Sequence, residues 1–334
     1  MAEPNYDVLT IGNAIVDVLA RTEEDFLVAE GLVKGSMRLI DGAEADRLYS
    51  HMGSAELVSG GCAGNTAAGV ASLGGRAAFI GKVADDTVGR FFRHDMDALG
   101  IHFPTEPIRD GTPTARSMIL ITPDGERTMN TNLAACQELT PADIDKATVE
   151  GAAITYLEGY LWDPPKAKEA FRIAAGLAHH AGRKVAMTLS DSFCVDRFRD
   201  EFIALMRGGD LDIVFANRHE ALALYQTSDF ATAIAALRAD VKLAVVTMSE
   251  EGCVVIDGEG ETRFPAAHID NVVDLTGAGD LYAAGFLFGL TRGAPLDACG
   301  KLGSLAAAEA IGHIGARPEV ALHTLAAESG LLPK

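Results

Sequence analysis

The segment "DLTGAGDLYAAGFLFGL", residues 274–290, puts two glycines and an acid into four positions ahead of a nearly uncharged run. Leu281, Ala284, Gly285 and Phe288 recur at helical spacing, which sets Gly277, Ala278 and Gly279 at a helix N-terminus. That end exposes unpaired N–H groups backed by the helix dipole, and glycines let an oxyanion reach the backbone without a Cβ in the way. Asp280 is expected to be ionised near neutral pH, because the same dipole favours its charge. A carboxylate is a poor neighbour for an anion that is only bound. It is useful where a hydroxyl must lose its proton while attacking a phosphoryl group held by the amides. Taken alone, the tetrapeptide also fits an N-capping aspartate after a glycine turn. No G-x-x-x-x-G-K-[ST] loop occurs and no G-x-G-x-x-G follows a strand, which argues against a P-loop enzyme or a nicotinamide-linked dehydrogenase.

Other residues have chemistry to offer. Asn13 and Asp17 follow the apolar run "DVLTIG", where open α/β sheets bind ligands, and an amide beside a carboxylate suits adjacent hydroxyls. Asn65 opens a helical pattern after the pair Gly60-Gly61, a position that equally fits a helix cap. Arg127 follows the turn Pro123-Asp124-Gly125, and its planar fork can bridge phosphate oxygens.

These residues need a scaffold. The runs "DVLTIG", "AAFIGKV", "KVAMTLS", "LDIVFAN" and "KLAVVTM" are mostly apolar throughout, as in strands buried on both faces. Helical patterns such as "GNTAAGVASLG", "VGRFFRHDMDALG" and "DFATAIAALRAD" lie between them, so the expected class is α/β with a central, mostly parallel sheet flanked by helices. Residues 15–59 and 104–131 break the alternation. They are polar, turn-rich and strand-like, with a hairpin in "SMILITPDGERTMNT". The simplest arrangement is a core of 1–14, 60–103 and 132–334 with a discontinuous β lid from the two insertions.

Composition narrows the partners. A net charge of −19 repels a phosphate backbone and disfavours nucleic acid. Five scattered cysteines without a C-x-x-C pair argue against a disulfide framework or zinc site and fit a reducing cytoplasm. The apolar runs fall well short of the roughly 20 residues a membrane span needs. Monomer and homodimer both remain open.

The stretch "SGGCAGNTAAGVASLGGRAAFIGKVADD", followed much later by "DLTGAGD", resembles the two signature regions of the ribokinase-like carbohydrate kinases, in the same order. The resemblance covers nearly the whole chain and implies a ribokinase-like fold with a small β-sheet lid. Smaller matches resemble the adenosine-kinase branch: "GNAIVDV", "ERTMNTNLAA", "EGYLW", "TLSDSF" and "FANRHEA". The resemblance implies an ATP-dependent kinase acting on the 5′-hydroxyl of adenosine, with ATP and Mg²⁺ as cofactors and a monovalent cation left open. It implies Asp280 as base, the amides from Gly277 through Ala278 and Gly279 to Asp280 as anion hole, and Arg127 as electrostatic clamp. Asn13, Asp17, Gly61 and Asn65 would then meet the ribose, and Tyr160 and Phe193 the nucleobase. Asn217, Glu220, Thr247, Gly252, Thr276, Gly277 and Gly279 would serve ATP and its phosphates, with Glu220 reaching Mg²⁺ through water. Two departures stand out: Cys62-Ala63 replaces the Lys-Gly of ribokinases, and Ser249 stands where relatives often carry glycine. A sugar kinase of the same fold is the near alternative, and a non-catalytic nucleoside-binding protein the distant one.

Overall fold

Short apolar segments without helical spacing form strands here because both their faces are covered by helices. The computed structural model describes residues 3–269 and 271–332. In chain order the strands are β1 (Tyr6–Ile11), β2 (Ile15–Arg21), β3 (Met37–Leu39), β4 (Ala55–Gly60), β5 (Ala77–Ile80), β6 (Ala115–Ile121) and β7 (Arg127–Asn132). They continue as β8 (Ala152–Glu158), β9 (Lys184–Thr188), β10 (Ile213–Asn217), β11 (Leu243–Thr247), β12 (Cys253–Asp257) and β13 (Glu261–Phe264).

The large sheet runs β13-β12-β11-β10-β9-β8-β1-β5. From β5 to β11 every pairing is parallel, and β12 and β13 add an antiparallel edge. Side chains alternate between two cores. Leu9, Ile11, Val214 and Ala216 face the helices Pro165–His180, Ser192–Gly208, Arg218–Leu224 and Phe230–Asp240. Val8, Ile213 and Phe215 face the helices Cys62–Ser72, Thr87–Ala98 and Ala278–Thr291. Burying each large apolar side chain contributes about 1.5–3 kcal/mol, which is why two-sided strands dominate the stability of such a sheet. The helix Ala278–Thr291 reaches its neighbour Leu296–Ala310 closely because Gly285 has no side chain: a Cβ there would lie 2.4 Å from the Leu302 carbonyl oxygen.

The second sheet is ordered β3-β7-β6-β2-β4, and the hairpin at Asp124-Gly125 joins β6 to β7 as the turn chemistry predicts. Residues 15–59 are less uniformly strand-like than their polarity suggests, since they contain the helices Glu24–Ala29 and Gly42–His51. The second begins at Asp41, whose carboxylate accepts the Glu44 N–H at 2.8 Å. Leu27, Ala45 and Leu48 from these helices cover Val18, Ala20, Met118 and Leu120 on one face of the sheet. Alternation leaves Asp17, Ser117, Thr131 and Arg127 on the other face, with Asp17 opposite Ser117 and Ser117 opposite Thr131 in register. The sheet begins its second segment at Ala115, and the preceding residues run along the core edge, where Asp85 N donates to Ile108 O at 2.8 Å.

Candidate active site

Residues from five strand ends meet at the C-terminal edge of the large sheet. Asn13 follows β1, Glu158 ends β8, Ser190 follows β9, and Asn217 and Thr247 end β10 and β11 as a register pair. This edge is where open α/β sheets hold ligands.

The helix Ala278–Thr291 starts here. Its N-cap is Gly277 at φ +79°, and a Cβ on Gly277 would lie 2.5 Å from the Ala316 Cβ, so glycine lets residues 315–317 close over the helix start. The Ala278 N–H turns back to the Leu275 carbonyl at 3.3 Å. The amides of Gly277, Gly279 and Asp280 have no partner among the described residues, and the space beside the Gly279 Cα is open. Those three amides are free to receive an anion at this turn, whereas that of Ala278 is already engaged.

Asp280 sits in the first turn, and its Oδ2 accepts a hydrogen bond from Asn65 Nδ2 at 2.9 Å. Burial pushes its carboxyl up from 3.8 to about 6, while Asn65, Cys62 and Arg317 pull it down. Desolvation outweighs the helix dipole and raises the Asp280 carboxyl toward the pH range of a general base, while leaving it mostly ionised near neutral pH. Asn65 comes from the helix Cys62–Ser72, whose N-cap Gly61 takes φ +83°. A Cβ on Gly61 would meet the Asn13 carbonyl oxygen at 2.2 Å, so a side chain there would part β1 from this helix.

Asp17 faces the same cleft from β2. Burial pushes its carboxyl up to about 7; Arg127 and Arg317 pull it down, whereas Asp274 and Asp280 raise it further. No donor among the described residues hydrogen-bonds it. A half-buried carboxylate without a donor is expensive to hold, and an incoming hydroxyl pair would supply what it lacks. Asn13 is more enclosed, 3% exposed, with Nδ2 donating to Glu158 Oε1 at 2.6 Å. Its contribution is thus tied to Glu158, which also accepts the Ala63 N–H at 2.9 Å. Burial raises the Glu158 carboxyl to about 7 against these bonds.

Arg127 comes down from β7 onto the glycine turn. Its Nη2 lies 2.5 Å from Asp274 Oδ2, a charge contact poorly aligned as a hydrogen bond, and Nη1 donates to Thr276 Oγ1 at 3.2 Å. Asp274 also accepts from Thr276 N and Oγ1 at 3.1 and 2.8 Å and from Gly315 N at 2.8 Å. One buried carboxylate thereby joins the second sheet, the glycine turn and residues 315–317.

The remaining expected residues form two outlying groups. Tyr160 and Phe193 follow β8 and β9 and are 36% and 68% exposed, unlike the core aromatics Trp162 and Phe202. Tyr160 is held by its hydroxyl, which donates to Asp191 Oδ2 at 3.0 Å. Phe193 lies under Arg197, 5.6 Å from ring centroid to guanidinium carbon. In the second group, Asn217 caps the helix Arg218–Leu224, and Glu220 answers it: Oε2 accepts Asn217 N at 3.0 Å and Oε1 accepts Asn217 Nδ2 at 2.5 Å. Burial raises the Glu220 carboxyl to about 7. Ser249 adopts φ +52°, the left-handed conformation a glycine supplies without strain, and Gly252 at φ +91° packs so that a Cβ would lie 1.9 Å from the Phe264 carbonyl oxygen.

Among the described residues no group of three or more His, Cys, Asp and Glu side chains converges as a metal cage. The buried Glu220, with lone pairs left over from its capping box, fits a strongly hydrated Mg²⁺ held mostly by water and phosphate. Three residues of the site carried little sequence signal of their own: Asp274, Glu158 and Arg317.

Comparisons with known proteins agree with this fold. The crystal structure of adenosine kinase from Sinorhizobium meliloti is 60% identical, with a TM-score of 0.91, and covers 97% of this chain and 99% of that one. A probable sugar kinase from Rhizobium etli is 55% identical with a TM-score of 0.93, covering 98% and 100%. The adenosine kinase of Saccharomyces cerevisiae is 26% identical over 92% of this chain and 95% of its own length. The model of the pfkB family carbohydrate kinases matches residues 8–322. With the ribokinase-like arrangement of a large sheet between helices and a small second sheet, this chain is a member of the pfkB carbohydrate kinase family.

Proposed function

We propose that this kinase transfers the γ-phosphoryl group of ATP to the 5′-hydroxyl of adenosine, giving AMP and ADP. Membership of the family makes it a phosphotransferase with an alcohol acceptor, and kinases of this family use ATP and typically Mg²⁺. The observation that carries the reading is the junction at residues 277–280, where three free amides surround a carboxylate held at 2.9 Å by Asn65. Binding alone has no use for a base beside an anion hole.

In this reading Asp280 accepts the proton of the attacking hydroxyl. With its carboxyl near 6, it is about nine-tenths ionised at pH 7 and still basic enough to take a proton. The amides of Gly277, Gly279 and Asp280 meet negative charge on the transferred group, at no reorganisation cost. Arg127, held over the turn by Asp274 and Thr276, adds a cation to the same place. Asp17 receives ribose hydroxyls, and Asn13 is kept in register with them by Glu158. Tyr160 and Phe193 offer exposed rings on which a flat base can stack. The second sheet acts as a lid, since it carries both Asp17 and Arg127. ATP bound with Mg²⁺ supplies the phosphoryl group, with Asn217, Glu220, Thr247, Gly252 and Thr276 around it and Glu220 reaching the ion through water.

The nucleoside assignment leans on the 60% identical Sinorhizobium protein described as adenosine kinase. A sugar kinase is the second reading, because the Rhizobium relative at 55% identity is described as a probable sugar kinase. ADP production with Mg·ATP across a panel of nucleosides and free sugars, with the phosphorylated position found by ³¹P NMR, tests the choice. Adenosine should give the highest kcat/KM and a 5′-phosphate. A higher value for ribose, fructose or another free sugar overturns the nucleoside reading.

A further inference from the structure

Arg317 lies in the turn after the helix Leu296–Ala310, far from every motif used above. Its Nε donates to Asn65 Oδ1 at 3.1 Å, and the same amide donates through Nδ2 to Asp280 Oδ2 at 2.9 Å. Arginine has only donors, so it fixes which way the Asn65 amide points: oxygen toward Arg317, NH₂ toward Asp280. The reverse orientation would set a carbonyl against a carboxylate on one side and two donors together on the other. The Arg317 Nη2 is buried and has no hydrogen-bond partner. Ala316, next to Arg317, packs against Gly277, which anchors this turn to the start of the helix that carries Asp280.

From this chain of contacts we infer that Arg317 is a positioning residue for phosphoryl transfer, orienting Asn65 toward Asp280 and lending the Asp280 carboxylate its positive field. The inference rests on the reading of Asp280 as the base. Burial lowers Arg317 itself to about 10, so it stays a cation across the working pH range, and the charges acting on it are Asp95, Asp17 and Asp280. The other titratable groups that face Asp280 are Cys62 from its helix start, Asp17 from β2, and Tyr156 and Glu158 from β8. Among the described residues, Arg317 is the one cation that acts on the Asp280 carboxyl, and it opposes the desolvation that raises it.

The test compares Arg317→Gln, Arg317→Met and Arg317→Lys with the wild-type enzyme. Gln and Met remove the charge in two different shapes, so a folding failure of one leaves the other. In both, the acid limb of the kcat–pH profile should move up by roughly one pH unit. Plateau kcat should fall by roughly tenfold, and KM for the nucleoside should change by less than about threefold. Arg317→Lys should keep the wild-type limb, because it keeps the charge, while still losing kcat through the altered Asn65 contact. An unmoved limb in Gln and Met, or a rise in KM at constant kcat, overturns the inference. A second readout separates it from the assignment of the base. The carboxyl ¹³C signal of Asp280, identified by its loss in Asp280→Asn, should titrate at higher pH in Arg317→Gln whether or not Asp280 proves essential for turnover. An unchanged titration overturns the role of Arg317 even if Asp280 is the base. Turnover surviving in Asp280→Asn overturns the base and leaves the field of Arg317 to be read from the carbon signal.

Discussion

Replacing Asp17 with asparagine should make the free protein more stable and a worse nucleoside binder. Burial without a donor pushes the Asp17 carboxyl from 3.8 to about 7, so the fold prefers its protonated form. That preference contributes fully below about 3.8 and is lost as pH rises through about 7, the direction opposite to a salt-bridged aspartate. Each pH unit between the two values is worth about 1.4 kcal/mol, about 4 kcal/mol in all at pH 8. Asp17 is half-buried and faces the cleft, and solvent screening trims this to about 2–3 kcal/mol. Asparagine has nearly the same shape and no charge to desolvate. Asp17→Asn should therefore raise the melting temperature of the ligand-free protein by about 3–6 °C at pH 8. At pH 5 the wild-type carboxyl is already protonated in the folded state, and the gain should shrink to less than half. Calorimetric titration should meanwhile show adenosine binding weakened by about tenfold, the loss of a charge-assisted hydrogen bond. A variant that melts at or below wild type at pH 8, or whose gain is equal at pH 5 and pH 8, refutes the reasoning.

Arg127→Ala should lower turnover by about 10²-fold or more while changing the nucleoside dissociation constant by less than about threefold, because its charge acts on the phosphoryl group. Equal effects on both would make it a binding residue. Tyr160→Ala and Phe193→Ala should each weaken adenosine binding by about 1–3 kcal/mol in calorimetry and leave ribose binding unchanged; a loss shared by ribose would remove the stacking role. Gly252→Ala, with φ +91° and a Cβ position 1.9 Å from a carbonyl oxygen, should destabilise the protein by roughly 3 kcal/mol or more in urea denaturation. A neutral result would show that the β11–β12 turn yields more easily than its packing suggests.

The parallel sheet was legible because "KLAVVTM" and its counterparts are short and apolar throughout, a pattern few other structures produce. The helix start at Gly277 was legible because glycines, an acid and helical spacing coincide within fifteen residues. The helix Gly42–His51 was not, since it buries only Ala45 and Leu48 and its remaining residues read as loop. The rise of the Asp280 carboxyl was hidden for a related reason: the dipole is local and visible in sequence, while the burial that outweighs it comes only with the packed fold, and Asn65 and Cys62, which pull the other way, stand more than 200 positions away. Arg317 meets Asn65 across 252 positions, and nothing in its own neighbourhood marks it. Ser249 is the opposite case. The missing glycine was visible in the sequence, but only the backbone reveals that serine takes the left-handed conformation itself.

The central claim is that Asp280 is the base of a phosphoryl transfer. Single-turnover transfer from Mg·ATP to adenosine should be measured in Asp280→Asn beside calorimetric nucleoside binding. The account predicts binding within about threefold of wild type and transfer slowed by roughly 10²-fold or more, the scale of a positioned general base. Transfer at a near-normal rate in that variant would contradict it.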